Sequence, residues 1–344
     1  MPCVRPSPSM LTAFAAVLVS GAALLGQSDS QPVNSAPNPY TTARVWGTLP
    51  PGRAWGPTSG VHVDRDGRSV WVAERCGAND CGSSALAPIL KFDATGSLVT
   101  SFGAGLFLVP HGIDVDRDGN VWVTDAADGV DAPGAKGHQV FKFSPDGKVL
   151  LTLGKAGVSG SGTETFNRPS DVLVAPNGDV FVADGHGGAS NARIMKFSAT
   201  GTFIKAWGRK GSAPGEFDTP HGLAMDSQGR LFVADLRNFR VQIFDQDGRY
   251  LAEWKQFGMP GGLYIDRHDT LYVADSLSGP GQHPGWIRGI RVGSARDGRV
   301  TAFIPDATPA TMPITAAEGV AVDAEGNVYG AVVPARMIQR YSKK

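Results

Sequence analysis

The sequence predicts an all-β fold: a six-bladed β-propeller whose blades each contain four strands. The first observation is a phrase that recurs six times in the 344 residues, in which an alternating apolar stretch, a D-x-x-G turn and a second alternating stretch follow one another. The second is the composition, since 45 Gly and 24 Pro are typical of short strands joined by tight turns. Radial repetition of such units makes a propeller, which leaves only short, protected sheet edges.

Each copy of the phrase predicts a strand, a hairpin turn and a second strand, because apolar and polar residues alternate with a period of two. A third and a fourth strand follow most copies; after the first copy they read ILKFD and LVTSFG. The six copies begin at Gly60, Gly112, Asp171, Gly222, Gly262 and Gly319.

The last copy lacks an outer strand, because the chain ends at Lys344 soon after RMIQRY. Residues 43–47 (ARVWG) match the pattern of an outer strand such as TFIKAWG. We therefore expect residues 43–47 to complete the sixth blade and to close the ring, which removes an open sheet edge.

The sequence divides into three predicted segments. These are a signal peptide over residues 1–26, a disordered spacer over residues 27–40 and the propeller over residues 41–344. Arg5 precedes an apolar run over residues 10–25, which is short for a membrane span and is followed by a polar stretch. We expect a secreted or periplasmic protein that does not associate with a membrane after processing. An uncleaved anchor is the alternative.

The net charge and the cysteine content indicate which partners and which cellular compartment to expect. The formal net charge is zero, so no basic surface favours nucleic acid. Cys3 lies in the expected signal peptide, which leaves Cys76 and Cys81 as a close pair. We expect a disulfide between them in an exported chain; a zinc site is the weaker interpretation, because no further ligand lies nearby in the sequence.

The residue before each copy of the phrase should lie at the central channel, because the first strand of a blade is innermost. In chain order these six positions are Ser59, His111, Ser170, His221, Gly261 and Glu318. The side chains able to bind a metal fall on blades two, four and six, so they should converge on the axis. His111, His221 and Glu318 are therefore the predicted metal ligands.

Two histidines and one carboxylate suit a catalytic zinc with an open position for water or substrate. The same set matches the ligand pattern of non-haem iron. The alternative is that a polar channel mouth carries these side chains without a metal.

Two further side chains near the expected channel are not required by the repeat. In blade one the usual Asp region reads Glu74–Arg75, and the guanidinium of Arg75 can bind a carboxylate with two hydrogen bonds. His186 follows the second strand of blade three and is a candidate general base. By contrast, the recurring Asp of V-A-D is expected to cap its own turn at Asp125, Asp184, Asp235 and Asp275.

The motifs PHGIDVDRDGNVWVTD, HQVFKF, FNRPSDV, VFVADG, ARIMKF and TPHGLAMD, together with Arg75, resemble the peptidyl-α-hydroxyglycine α-amidating lyase family. The resemblance covers residues 56–254 and is most specific in the first four blades. It implies a six-bladed propeller of NHL repeats with a zinc ion in the channel, and a reaction that cleaves a C–N bond and releases glyoxylate.

Carried over to this chain, the resemblance assigns two of the family's three zinc-binding histidines to His111 and His221, and the family's active-site arginine to Arg75. The third histidine falls at Glu318 and the catalytic tyrosine at His186, so the chain departs from the family at both positions. The family's second arginine falls at Leu236, with Arg237 one place away.

The resemblance also implies a structural calcium ion. Its backbone ligands would be the carbonyls of Val61 and Ile113, but its aspartate falls at Gly319, which has no side chain to offer.

We therefore expect a monomeric, metal-dependent lyase in which His111, His221 and Glu318 bind zinc or another divalent metal such as iron. Arg75 and Arg237 would bind a small-molecule or peptide substrate that carries a carboxylate, and His186 would act as base. Two alternatives remain: a lactonase-type hydrolase that uses a channel metal, and a non-catalytic NHL scaffold that binds a partner on one face.

Overall fold

Six four-stranded antiparallel sheets form the propeller in a computed structural model that describes residues 1–2, 31–127, 135–307 and 314–344. This confirms the predicted fold class and blade number. In each sheet the first strand pairs with the second, the second with the third and the third with the outermost strand.

The strand bounds follow the repeat. Blade one contains β2 (Thr58–Val63), β3 (Val70–Glu74), β4 (Ile89–Phe92) and β5 (Leu98–Phe102). Blade two contains β6 (Pro110–Val115), β7 (Val121–Asp125), β8 (Gln139–Phe143) and β9 (Val149–Gly154). Blade three contains β10 (Pro169–Val174), β11 (Val180–Asp184), β12 (Arg193–Phe197) and β13 (Phe203–Trp207).

The second half of the chain repeats this plan. Blade four contains β14 (Pro220–Met225), β15 (Leu231–Asp235), β16 (Arg240–Phe244) and β17 (Tyr250–Trp254), with a 3-10 turn over Leu236–Asn238. Blade five contains β18 (Leu263–Ile265), β19 (Thr270–Asp275), β20 (Gly289–Ser294) and β21 (Val300–Pro305). Blade six contains β22 (Gly319–Val322), β23 (Val328–Val332), β24 (Met337–Lys343) and β1 (Tyr40–Trp46).

The N-terminal strand closes the ring, as predicted. β1 pairs antiparallel with β24, from Tyr40 opposite Lys343 to Trp46 opposite Ile338. The indole of Trp46 is buried and packs edge-on against Tyr329 of β23, at a ring-centroid distance of 4.8 Å. Because the outer strand comes from the start of the chain, opening the last blade would separate the two ends of the protein.

The recurring glycine that opens the phrase allows neighbouring inner strands to approach closely. A β-carbon placed at Gly60 would lie 2.4 Å from the carbonyl oxygen of His111, and one at Gly319 would lie 2.1 Å from that of Ser59. In both cases the inner strand of one blade meets the channel position of the next. This contact fixes the height of the channel positions around the ring.

A buried carboxylate ends the second strand of most blades and accepts hydrogen bonds from the backbone of the loop that leads into that blade. Asp125 accepts hydrogen bonds from the backbone N–H groups of Leu108 and Val109, at 2.9 and 2.6 Å. Asp235 accepts one from Asp218 at 2.7 Å and pairs with Arg240. These aspartates are structural, as expected, but these backbone donors to Asp125 and Asp235 lie in the loop before the blade and not in the predicted turn after the strand. In blade one Glu74 takes the same role toward Gly56 and Gly77.

Part of the predicted spacer packs against blade five instead of remaining free chain. The buried guanidinium of Arg291 donates to the carbonyl of Val33 and to the side chain of Asn34. The carbonyl of Pro37 accepts a hydrogen bond from the backbone of Phe303. The predicted signal peptide lies almost entirely outside the described residues. Over the described ranges, the molecule contains no helix with the length and apolar character needed to span a bilayer.

Candidate metal centre in the central channel

The three predicted ligands meet in the channel although they come from three different blades. Nε2 of His111 lies 3.2 Å from Oε1 of Glu318, and Nε2 of His221 lies 3.6 Å from the same oxygen. The His111 and His221 rings are 5.0 Å apart between centroids. Since bonds from zinc to N and O are about 2.0–2.2 Å long, ligand atoms around one ion lie roughly 3–4 Å apart.

His186, which the sequence placed near the channel as a candidate base, lies within this group of possible ligands. The four residues His111, His186, His221 and Glu318 each offer one ligand atom within 4.8 Å of the others. The His186 ring lies 4.6 Å from His111 and 5.1 Å from His221 between centroids. The repeat register did not select His186 as a ligand, because this residue follows β11 and is outside the register. Its blade, blade three, lies between the two blades that carry the channel histidines.

Hydrogen bonds to the next blade orient the two channel histidines. Nδ1 of His111 lies 2.7 Å from the carbonyl oxygen of Ser170, and His221 hydrogen-bonds with the carbonyl of Gly261. Each acceptor is the channel position of the following blade. A histidine that donates from one ring nitrogen presents the other in unprotonated form, as metal ligation requires.

The electrostatic state of the cluster also suits a cation. Burial, followed by the charges of His111 and His221, lowers the pKa of His186 well below its ordinary value. Burial likewise lowers the pKa of His221 to about 4. Burial alone would raise the pKa of Glu318, but the neighbouring imidazoles of His111, His221 and His186 hold it well below its usual range. Neutral imidazoles and an ionised carboxylate are the forms that bind metals.

One buried nitrogen atom, Nε2 of His111, lies where a bound metal ion would be its partner. Nε2 of His111 is shielded from solvent and makes no hydrogen bond, although the Glu318 carboxylate is close. A buried polar atom without a partner is costly, so native proteins rarely keep one. A divalent metal bound by these side chains would satisfy it, and the donor set of imidazole nitrogen and carboxylate oxygen suits zinc and iron.

Arg75 borders the cluster and directly precedes the loop that the Cys76–Cys81 disulfide closes. Its charge is among the influences that lower the pKa values of His186 and His221, after burial in each case. The next residue, Cys76, is disulfide-bonded to Cys81. The predicted disulfide is thus present, and the alternative of a zinc site at these cysteines is excluded. The backbone of Arg75 also donates to the carbonyl of Pro57.

Arg237 lies at the rim of a cavity of about 130 Å³ on the same side of the cluster as His186. Its walls include Thr219, Ser276 and Leu277, and its floor includes His221 and Glu318. Leu236 also lines this cavity, and the 3-10 turn brings Arg237 to its edge. A cavity of this size admits a small polar group and leaves the remainder of a larger substrate outside.

The channel continues on the other side of the cluster, where the resemblance implied a calcium ion. Gly319 contributes no carboxylate there and packs against the Ser59 carbonyl. The nearby carboxylates already have partners: Asp114 pairs with His62 at 3.1 Å, and Asp171 accepts from the backbone of Leu223 at 2.8 Å. Burial raises the pKa of Asp171 to about 8, which disfavours a charged ligand at that position.

Comparison with known proteins agrees with the repeat and with the resemblance. An NHL repeat model matches residues 217–244. The chain is 35% identical over 266 residues to peptidyl-glycine alpha-amidating monooxygenase B of Xenopus laevis, an alignment that covers 72% of this chain and 28% of the frog protein. It is 42% identical over 163 residues to peptidyl-alpha-hydroxyglycine alpha-amidating lyase 1 of Drosophila melanogaster, covering 44% of this chain and 28% of the fly protein. The chain therefore spans less than a third of the length of either relative.

A solved structure of similar shape is a gluconolactonase from Xanthomonas campestris. The two chains are 15% identical, with a TM-score of 0.57 over 91% of this chain and 99% of the other. At that identity the similarity shows the propeller fold alone.

Proposed function

We propose that this chain, an NHL-repeat β-propeller related to the peptidyl-α-hydroxyglycine α-amidating lyases, is a metal-dependent lyase that releases glyoxylate from a carboxylate-bearing α-hydroxyglycine. The observation that carries the proposal is the convergence of His111, His221 and Glu318 in the channel, with Arg75 next to the Cys76–Cys81 disulfide.

His111, His221 and Glu318 would hold the metal. A divalent ion there would act as a Lewis acid toward the substrate hydroxyl oxygen. Zinc is the expected ion, and iron is the alternative that the carboxylate ligand favours.

Two guanidinium groups would bind and orient the substrate carboxylate. Arg75 borders the cluster from blade one, and Arg237 lies at the cavity rim on blade four. Paired hydrogen bonds between a guanidinium and a carboxylate fix the direction of the bound group as well as its position. The small cavity would enclose the hydroxyglycine end, while the amide side of the substrate extends outward.

The reaction moves one proton and breaks one bond. The hydroxyl loses its proton, its O–H electrons form the aldehyde C=O, and the C–N bond breaks; the amide nitrogen then takes up a proton. His186 is at the edge of the cavity, close to both the substrate position and the channel ligands. A ring nitrogen of His186 that is not bound to the metal would accept the hydroxyl proton.

We also propose that the protein is exported. The apolar run over residues 10–25 has the layout of a signal peptide, and the Cys76–Cys81 disulfide is of a kind that persists in oxidising compartments.

The test is elemental analysis of the purified protein, followed by a glyoxylate-release assay on an α-hydroxyglycine peptide. We expect about one divalent metal per chain, release by the parent, and loss of release in His111→Ala and Arg75→Ala. His268→Ala, in an exposed turn, is the matched control. A metal-loaded parent that releases no glyoxylate but opens lactones would support a hydrolase instead. A metal-free protein would support the scaffold.

A further inference from the structure

His186 stands in the same relation to the cluster as the predicted ligands do. Its ring centroid is 4.6 Å from that of His111, which is nearer than the 5.0 Å between His111 and His221. Its ligand atom lies within 4.8 Å of those of all three other residues. His186 and His221 therefore both lie within the 4.8 Å span of the cluster.

The loop that carries His186 is shaped to hold this side chain over the channel. A β-carbon at Gly185 would lie 1.8 Å from the carbonyl oxygen of Asn191, so the loop can fold back on itself only with glycine there. Gly187 and Gly188 both have positive φ, at 76° and 60°. His186 is thus the side chain that a glycine-rich turn presents to the channel, and its ring is brought against two other imidazoles.

We infer that His186 is a fourth ligand of the channel metal, so that the ion is held by three imidazoles and one carboxylate from four different places in the ring. This inference rests on the metal site of the proposed function, but it assigns His186 a role other than general base. A ring nitrogen that is bonded to a cation has no lone pair with which to accept a proton.

This ligand set has two chemical consequences. The single carboxylate of Glu318 leaves a divalent ion with a net charge of +1, since imidazole ligands are neutral. Four protein ligands also fill a tetrahedral site, which is the arrangement of closed zinc sites. His186 would then occupy the position that a catalytic site with three protein ligands leaves open to water or substrate.

The experiment measures metal binding directly, on the mature protein. The zinc dissociation constant is determined by competition with a chromophoric chelator for the parent, His186→Ala, His186→Phe and His111→Ala. The absorption spectrum of the cobalt(II)-loaded protein is recorded for the same set. We expect each His186 variant to bind zinc at least about 100-fold more weakly. Loss of a group that only supports a ligand already costs about 10–100-fold in metal affinity, and loss of a ligand should cost at least as much. We also expect the cobalt spectrum of each variant to change.

Two controls distinguish a variant that fails to fold from a variant that has lost a metal ligand. Thermal unfolding of the metal-free variants shows whether they fold, and His268→Ala should bind zinc as the parent does. If both His186 variants fold and keep the parent's zinc affinity and cobalt spectrum while His111→Ala loses them, His186 is not a ligand and the three-ligand metal site stands. If the parent itself binds no metal, both this inference and the proposed function are overturned.

Discussion

The Glu318 carboxylate lies 3.2 Å from Nε2 of His111 and is shared with His221 at 3.6 Å, so one oxygen faces two imidazoles from two other blades. Such an arrangement places one carboxylate oxygen and two imidazole nitrogens around a common point. It makes Glu318 the residue whose charge should matter most to cation binding.

Replacement of Glu318 by Gln keeps the shape of the side chain but removes the negative charge. We expect Glu318→Gln to lower zinc affinity by at least about 10-fold, because the site would consist of neutral groups beside the positive charge of Arg75. Glu318→His, which restores a ligand, should recover part of the affinity. Chelator competition provides the measurement; equal affinity of Gln and Glu proteins would show that the carboxylate does not bind the metal.

The contact between Gly319 and Ser59 joins the last blade to the first. Gly319→Ala would place a β-carbon 2.1 Å from the Ser59 carbonyl oxygen, so the inner strands must separate. We expect a loss of about 1–3 kcal/mol in the free energy of unfolding, as for other overpacked sites. Urea denaturation provides the measurement, and Gly281→Ala, which meets nothing within 4 Å, is the matched control. Two variants of equal stability would contradict this packing.

Asp125 should make the stability of the protein depend on pH in a defined direction. Burial raises its pKa to about 6, against the opposing effect of hydrogen bonds from Leu108 and Val109. Because the folded-state pKa exceeds the unfolded value near 3.8, the contribution of Asp125 is fully present below about pH 3.8 and is lost as pH rises toward 6.

The predicted change is on the order of 2–3 kcal/mol, from about two pKa units at 1.36 kcal/mol each. It is measured as the stability of the parent minus that of Asp125→Asn, by urea denaturation at pH 4 and pH 7. We expect this difference to be smaller at pH 7. A difference that grows between pH 4 and pH 7 would mean that the folded protein favours the charged form.

The disulfide between Cys76 and Cys81 should support both stability and the position of Arg75. Its loop is short, with a sequence separation of 5, so the entropic contribution is about 2 kcal/mol. We expect the double variant Cys76→Ser/Cys81→Ser to unfold at lower urea and to raise KM for a carboxylate substrate more than it lowers kcat. Ser83→Ala, two residues beyond the closed loop, is the control, and thiol titration of the native parent should find neither cysteine free.

The repeat made most of the fold predictable. Alternation and the D-x-x-G turn located the paired strands. The missing outer strand of the sixth copy pointed to residues 43–47, which overlap β1 (Tyr40–Trp46) in all but the last residue. The packing of Val33 and Asn34 on Arg291 was not predictable, because an isolated polar stretch carries no signal for a buried cation on a distant blade.

The candidate site divides in the same way. Sequence register alone grouped His111, His221 and Glu318, because equivalent positions of a radial repeat must lie around one axis. It also supported the resemblance, with its departures at His186, Glu318 and Leu236. The sequence placed His186 near the channel but could not show that its ring meets the Glu318 carboxylate, since His186 lies outside the register, on a loop whose path depends on Gly185 and Asn191.

By itself, then, the sequence determined what is periodic in this protein: six blades, their closure, and three channel residues in register. Only the tertiary structure decided what is aperiodic: that His186 reaches the channel ligands, that the Ser170 and Gly261 carbonyls orient the histidines, and that Arg237 lies at the cavity rim. The physical reason is that strand periodicity is a local property of the backbone, whereas the position of a loop side chain depends on contacts between residues that are distant in the chain.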